Sequence, residues 1–203
     1  MEKINVALFG GGFNPIANHH QLMAQEIWKK TGMNTWLMPC YDHLFAKNSL
    51  LIDSYHRWNM VTEVSHDFSY MTACSWEIDR HHNGTMFDTL SGLTGTYTHL
   101  NFHIVIGMDN ANIIRTKWKM GQYLIETYPF IVMGTKDQQE DDWFLQEPHR
   151  FIPFDYPVHS SAIRKAIEDG DHDFAKKHTH PSVWGYITSG RLYEYEELEN
   201  AGT

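Results

Sequence analysis

The chain has 203 residues, of which 42% are hydrophobic, 14% aromatic and 20% charged. This length fits a single domain, 1–203, and the apolar share excludes intrinsic disorder because enough surface can be buried to offset the loss of chain entropy. Lysine and arginine number 16 against 25 aspartate and glutamate residues, which gives a formal net charge of −9. This balance disfavours a broad basic surface for nucleic acid or anionic lipid, so a polyanionic ligand must be held by a local cluster of groups.

Three features of the chain bear on its cellular location. Two cysteines, Cys40 and Cys74, allow at most one disulfide, and the first residues, MEKINVALFG, reach charged and glycine positions too early for a secretory leader. No run of about twenty apolar residues is long enough to cross a membrane. We therefore expect a soluble, cytoplasmic protein with no membrane partner, and the sequence leaves its oligomeric state open.

The predicted elements alternate between strand and helix along the chain. Residues 4–9 form an apolar run that ends at a glycine turn, and a helix-like pattern follows until Gly32. Further strand-like runs cover 35–38, 102–106, 130–133 and 151–154, and a helix after the last of them ends at Gly170. This alternation predicts an α/β fold, a Rossmann-like doubly wound parallel sheet with helices on both faces.

The glycine loop 10–12 opens the first predicted helix. Such loops bind phosphate because backbone amides approach the ligand closely and a helix N-terminus attracts anions. The dinucleotide-binding fingerprint fails here because Pro15 stands where its third glycine belongs, and no Gly-Lys-Ser/Thr completes a Walker loop. The alternative to a phosphate site is a structural helix cap with two solvated histidines.

The stretch GGFNPIANHH, residues 11–20, is more specific. It resembles the G-x-F-N-P-x-[HT]-x-x-H loop of the nucleotidylyltransferase superfamily, and within it the nicotinamide or nicotinate mononucleotide adenylyltransferases. The resemblance implies that His20 is catalytic and contacts the ATP phosphates. Ala17 departs from the pattern, so one polar phosphate contact is missing or is supplied from elsewhere, for example by His19. The resemblance also implies three further ATP-binding residues in the loop: Gly11, Gly12 and Phe13.

A second motif lies at residues 159–164, HSSAIR. It resembles the family's I-S-S-T segment with an arginine one turn later, and implies that Ser160, Ser161 and Arg164 bind ATP phosphates, although in isolation the segment is equally well a capped helix. The whole interpretation depends on one spatial expectation. The segments around His20 and Arg164 must lie on either side of a shared triphosphate.

Segments between these motifs resemble the family's mononucleotide site. The implied mononucleotide-binding residues are Lys47, Arg57, Trp76, Thr85, Gly107, Asp109 and Trp118. Cations suit the phosphate and tryptophan suits a flat heterocycle. Structural alternatives remain for several of them: Arg57 could pair with Glu63 or Asp53, Trp76 could pack in the core, and Asp109 could cap a helix.

The motifs imply an enzyme that joins nicotinate or nicotinamide mononucleotide to ATP and releases pyrophosphate. No covalent nucleophile is required, since the mononucleotide phosphate itself attacks the ATP α-phosphorus. Mg²⁺ is expected to enter with ATP, without a metal ligand from the protein. Two alternatives stay open, a nucleotide-binding regulator of the same fold that has lost catalysis and a transferase for another phosphorylated acceptor. The sequence does not decide between nicotinate and nicotinamide.

Overall fold

The computed structural model describes residues 3–42, 51–82 and 84–193. Its centre is a six-stranded sheet with the order β3-β2-β1-β4-β5-β6, in which every neighbouring pair is parallel. The strands are β1 Ile4–Gly11, β2 Asn34–Pro39, β3 Met71–Ala73, β4 Leu100–Gly107, β5 Phe130–Gly134 and β6 Arg150–Pro153. The order reverses between β1 and β4, the point at which open α/β sheets bind their ligands.

Helices cover both faces of this sheet. They are α1 Asn18–Thr31, α2 Ser54–His66, α3 Trp76–Asp79, α4 Met86–Thr96, α5 Met108–Lys117, α6 Gly121–Thr127, α7 Ser160–Glu168, α8 His172–Lys177 and α9 Pro181–Ser189. Alternate side chains of β1 enter two separate cores, because successive residues of a strand point to opposite faces. Ala7 and Phe9 pack with α1, α2, α7, α8 and α9. Val6 and Leu8 pack with α3 to α6.

The predicted fold class is confirmed, and two local details differ from the prediction. Strand β3 was not predicted, since its three residues at the sheet edge are too short to show a periodicity. Helix α7 begins at Ser160 with His159 as its N-cap and has no side-chain capping bond. The Ser160 hydroxyl donates instead to the carbonyl oxygen of Pro15 at 2.8 Å, so this serine joins two distant segments.

The helices also bear on the expectation about membranes. Among the residues that the structure describes, no helix is both long and apolar enough to cross a bilayer.

Candidate active site

A cavity of about 370 Å³ opens at the carboxyl ends of the central strands. Gly10 and Gly11 line it from the end of β1, and Gly107 lines it from the end of β4. The cavity therefore lies at the reversal of strand order. A cavity of this size accommodates a small organic ligand such as a nucleotide part.

The two motifs at 11–20 and 159–164 meet each other, and of their residues Gly11 alone lines the cavity, while the ring of the wall residue Phe9 lies 5.8 Å from that of His20. Arg164 Nη1 donates to the carbonyl oxygen of Asn14 at 2.6 Å, and Ser160 donates to Pro15. The ring centroids of His19 and His159 lie 5.5 Å apart. The first turns of α1 and α7 are thus adjacent, as the interpretation of the sequence requires, and that a triphosphate lies between them stays a prediction.

His20 occupies the third position of α1, and its Nδ1 atom accepts a hydrogen bond from the backbone amide of Ala17 at 3.0 Å. This bond places the proton of a neutral ring on Nε2. Burial, and then the neighbouring His19, hold the pKa of His20 well below its usual 6.5. His20 is therefore a neutral imidazole with one N–H donor, fixed in orientation by the helix N-terminus.

Asn14 and Tyr193 complete the support of this loop and were not among the predicted site residues. The Asn14 side chain is 4% exposed, and its Oδ1 accepts from the Tyr193 hydroxyl at 2.9 Å. Burial raises the pKa of Tyr193 well above its usual range, so the phenol stays a donor. The sequence contained a pattern for each of them, since Asn14 belongs to the first motif and Tyr193 to the pair Leu192-Tyr193.

Arg57 has a structural position rather than a place in the cavity wall. Its side chain is 1% exposed and donates to the carbonyl oxygens of Gly12 at 3.0 Å, Ile52 at 3.0 Å and Tyr41 at 3.1 Å. These bonds occupy Nε, Nη1 and Nη2. The prediction that Arg57 binds the mononucleotide phosphate is corrected accordingly, since the guanidinium faces the protein. It holds instead the loop of residues 11–17 before α1, which we call the phosphate loop after its proposed role.

Three of the predicted mononucleotide residues line the cavity: Thr85, Gly107 and Trp118. Thr85 precedes α4, and both its amide and its hydroxyl donate to the Asp88 carboxylate, at 3.0 Å and 2.7 Å. Trp118 ends α5, and its buried Nε1 has no hydrogen-bond partner among the described residues. An aromatic ring and a helix N-terminus therefore face the same space.

Trp76 and Asp109 lie outside the cavity wall. Trp76 is 6% exposed in the core, where its ring packs on Gly92 and the Arg80 guanidinium lies 4.8 Å from its centroid. Asp109 is exposed in the first turn of α5, and it is the next residue, Asn110, that lines the cavity. The predicted direct contact of Trp76 is corrected, because packing turns this side chain inward. The contact of Asp109 stays a prediction, since its Oδ1 lies 2.6 Å from where a Cβ on the cavity residue Gly107 would stand.

Three further predicted site residues remain, namely Phe13, Ser161 and Lys47. Phe13 is 2% exposed and packs against His20, with ring centroids 4.9 Å apart, so it supports the loop from inside. Ser161 is exposed in the first turn of α7. Lys47 lies outside the described residues. Within those residues, no group of three or more His, Cys, Asp or Glu side chains is arranged to hold a metal ion.

Glu77 lines the cavity and was not among the predicted site residues. Its side chain is 7% exposed and accepts a hydrogen bond from the Thr89 hydroxyl at 2.8 Å. Burial raises its pKa to about 7, against the smaller effects of Thr89, the Tyr41 backbone and Arg57. A carboxyl group that titrates near neutrality therefore forms part of the wall.

Similar proteins of known structure share this architecture. A Plasmodium falciparum nicotinic acid mononucleotide adenylyltransferase complexed with NaAD superposes with a TM-score of 0.78 at 22% identity, over 94% of this chain and 97% of that one. A putative nicotinate-nucleotide adenylyltransferase from Vibrio parahaemolyticus gives 0.64 at 18% identity, over 94% and 95% of the two chains. At these identities the likeness establishes the fold.

Sequence comparison identifies the family. Residues 8–166 match the cytidylyltransferase-like family model. A probable nicotinate-nucleotide adenylyltransferase from Chlorobium phaeobacteroides (strain BS1) is 30% identical over 210 residues, which covers 94% of this chain and 100% of the relative. The chain therefore belongs to the cytidylyltransferase-like family of nucleotidyltransferases and, within it, to the nicotinate-nucleotide adenylyltransferase group.

Proposed function

We propose that the protein joins nicotinate mononucleotide to ATP and releases pyrophosphate. The observation that carries this proposal is the meeting of the two motifs, through Ser160 with Pro15 and Arg164 with Asn14, beside a cavity lined by Thr85 and Trp118. The first turns of α1 and α7 and the Arg164 guanidinium lie near a cavity whose wall includes the Trp118 ring. That combination suits a triphosphate and a heterocyclic mononucleotide bound next to each other.

ATP is proposed to lie across the first turns of α1 and α7. His20 Nε2–H donates to a phosphate oxygen, while Ser160, Ser161 and Arg164 contact the phosphates that leave. Gly11 and Gly12 let the backbone of the loop approach the phosphates closely. Arg57 and Arg164 hold carbonyl oxygens of the loop, so its geometry is set before ATP binds.

The mononucleotide is proposed to occupy the cavity, with its pyridine ring against Trp118 and its polar groups near Thr85 and Gly107. Its phosphate oxygen attacks the α-phosphorus of ATP in line, the bond to the β-phosphate oxygen breaks, and pyrophosphate carries away the electron pair. Catalysis then consists of positioning and charge stabilisation. Mg²⁺ enters as part of the ATP substrate.

The acid form of the mononucleotide is proposed as the acceptor. Lys117 and Lys119 line the cavity, and Lys119 Nζ lies 2.7 Å from Asp88 Oδ1. Because Lys119 is paired with Asp88 and the wall also carries Asp42 and Glu77, Lys117 is the cation proposed to favour a substrate carboxylate over a neutral amide. The activity in the name of the Chlorobium relative supports the same choice.

Parallel assays of the purified protein test the function. Pyrophosphate release is measured with ATP, Mg²⁺ and either nicotinate mononucleotide, nicotinamide mononucleotide or phosphopantetheine. Release with nicotinate mononucleotide at the highest kcat/KM is expected. ATP binding without release from any acceptor would favour the regulator, and release with phosphopantetheine alone would favour the sister transferase.

A further inference from the structure

Three imidazole rings lie together where the first turns of α1 and α7 meet. The ring centroids of His19 and His20 are 3.7 Å apart, and those of His19 and His159 are 5.5 Å apart. His20 matches the histidine of the first motif. His19 and His159 stand at positions to which that motif and the second motif assign no histidine, so their presence needs a separate explanation.

His19 is 8% exposed, and its Nδ1 atom is buried without a hydrogen-bond partner among the described residues. A buried polar atom without a partner is destabilising, and an apolar side chain would fill the same space without this cost. The ring contacts both His20 and His159, so it faces the junction of the two helices. Packing alone therefore does not account for a histidine here.

His159 holds the N-cap position of α7, but its side chain makes no capping hydrogen bond. It is exposed, and its neighbour Ser160 is used to join α7 to the phosphate loop. A helix cap is thus not the role of this imidazole. Its location beside the first-turn amides of α7 is that of a group available to an anion.

The charges around the cluster favour an anion as well. Arg164 extends from α7 to the loop before α1 and places a guanidinium beside the cluster. In the described part of the chain, no carboxylate is hydrogen-bonded or ion-paired to the three imidazoles. Burial and the nearby His159 lower the pKa of His19 to about 4, so protons are disfavoured there until a negative charge arrives.

We propose that His159 and His19 are phosphate-binding residues for ATP, and that they supply the contact that Ala17 cannot make. The inference rests on the proposed placing of ATP across α1 and α7. Ala17 is 3% exposed and offers only a methyl group at the start of α1. One imidazole from the first turn of α1 and one from the N-cap of α7 replace the missing polar group, so the triphosphate keeps a full set of donors.

The test compares His159→Ala and His19→Ala with His99→Ala, an exposed histidine just before β4 at the opposite end of the sheet. ATP affinity is measured by titration calorimetry with Mg·ATP alone, which requires no turnover. We expect the Kd for ATP to rise about fivefold or more in each of the two site variants and to stay at the wild-type value in His99→Ala, as loss of a charge-assisted hydrogen bond predicts. Inhibition by pyrophosphate should weaken in parallel, since it shares the contact.

Steady-state kinetics add a second readout. The KM for ATP should rise in the site variants while the KM for the mononucleotide does not, and adding Ala17→Thr to His159→Ala should lower the KM for ATP again. Unchanged ATP affinity in His159→Ala, whose exposed side chain can be removed without unfolding the protein, would overturn the inference. Weakened ATP binding in a protein that releases no pyrophosphate would support the inference while contradicting the proposed function.

Discussion

At the scale of single residues, the environment of His20 determines what it can do. Its Nδ1 is occupied by the Ala17 amide, so the only remaining donor is Nε2–H, and burial keeps the ring neutral. A neutral donor binds a phosphate oxygen without a proton having to be taken up first. The sequence predicted the histidine and its helix position, whereas the tautomer depends on a contact that only coordinates show.

We predict that His20→Ala lowers kcat at least about a hundredfold, because one donor to a developing negative charge is removed. The variant should also lose about 1 kcal/mol in free energy of unfolding, since the Ala17 amide loses its acceptor at the helix N-terminus. Turnover and urea denaturation check the two effects separately, with His99→Ala as the control. A variant with kcat within a few-fold of wild type would remove His20 from catalysis.

Glu77 provides a prediction about pH. Its pKa is about 7 in the folded protein and 4.5 in the unfolded chain, so between these values the folded state holds a proton that the unfolded state has released. The contribution of Glu77 to the free energy of unfolding is therefore largest at low pH. It falls by at most about 3 kcal/mol as the pH rises from about 4.5 through about 7.

Glu77→Gln keeps a group that accepts from Thr89 and removes the titration. The variant should show a smaller decline in free energy of unfolding between pH 5 and 8 than the wild type, and should be the more stable of the two at pH 8. Urea denaturation at a series of pH values measures this difference. Parallel curves for the two proteins would show that Glu77 has an ordinary pKa.

At the scale of elements, the phosphate loop is the feature that several distant segments build. Arg57 from α2, Ser160 and Arg164 from α7, and Tyr193 after α9 all bind it. Local sequence patterns predicted the strand and helix on either side, because apolar spacing and glycine carry that information. They did not predict that Arg57 binds three carbonyl groups, because its partners are backbone atoms that have no signature in the sequence.

Arg57→Lys tests that structural role. Lysine keeps the charge but cannot reach three carbonyl oxygens in one plane, so buried acceptors lose their donors. We expect a loss of about 3 kcal/mol in free energy of unfolding and a rise in the KM for ATP, whose loop Arg57 supports. Wild-type stability with a raised KM for the mononucleotide alone would restore Arg57 as a ligand of the mononucleotide phosphate.

At the cavity, the motifs predicted which segments contribute to the wall but not which side chain of each segment faces it. Thr85, Gly107 and Trp118 face it, as the resemblance implied, while Trp76 lies in the core and Asp109 on the surface. The motif placed the right segments at the site in each case. Which side chain of a segment lines the cavity depends on packing. Glu77 lines it where Trp76 was expected, and Asn110 lines it where Asp109 was expected.

At the scale of the whole molecule, a net charge of −9 coexists with the proposed site for two anionic substrates. The parallel sheet resolves this conflict because it gathers helix N-termini and a few cations at one edge, where the local field outweighs the distant surface charge. Arg164 and the three imidazoles come from segments about 140 residues apart in the chain, and the strand order brings them together.

The central claim is that one triphosphate lies between the first turns of α1 and α7. A crystal structure of the protein with Mg·ATP tests it most directly. We predict density for the triphosphate within hydrogen-bond distance of His20 Nε2 and of the Arg164 guanidinium at the same time. A triphosphate bound elsewhere, or in contact with only one of these two side chains, would contradict the account.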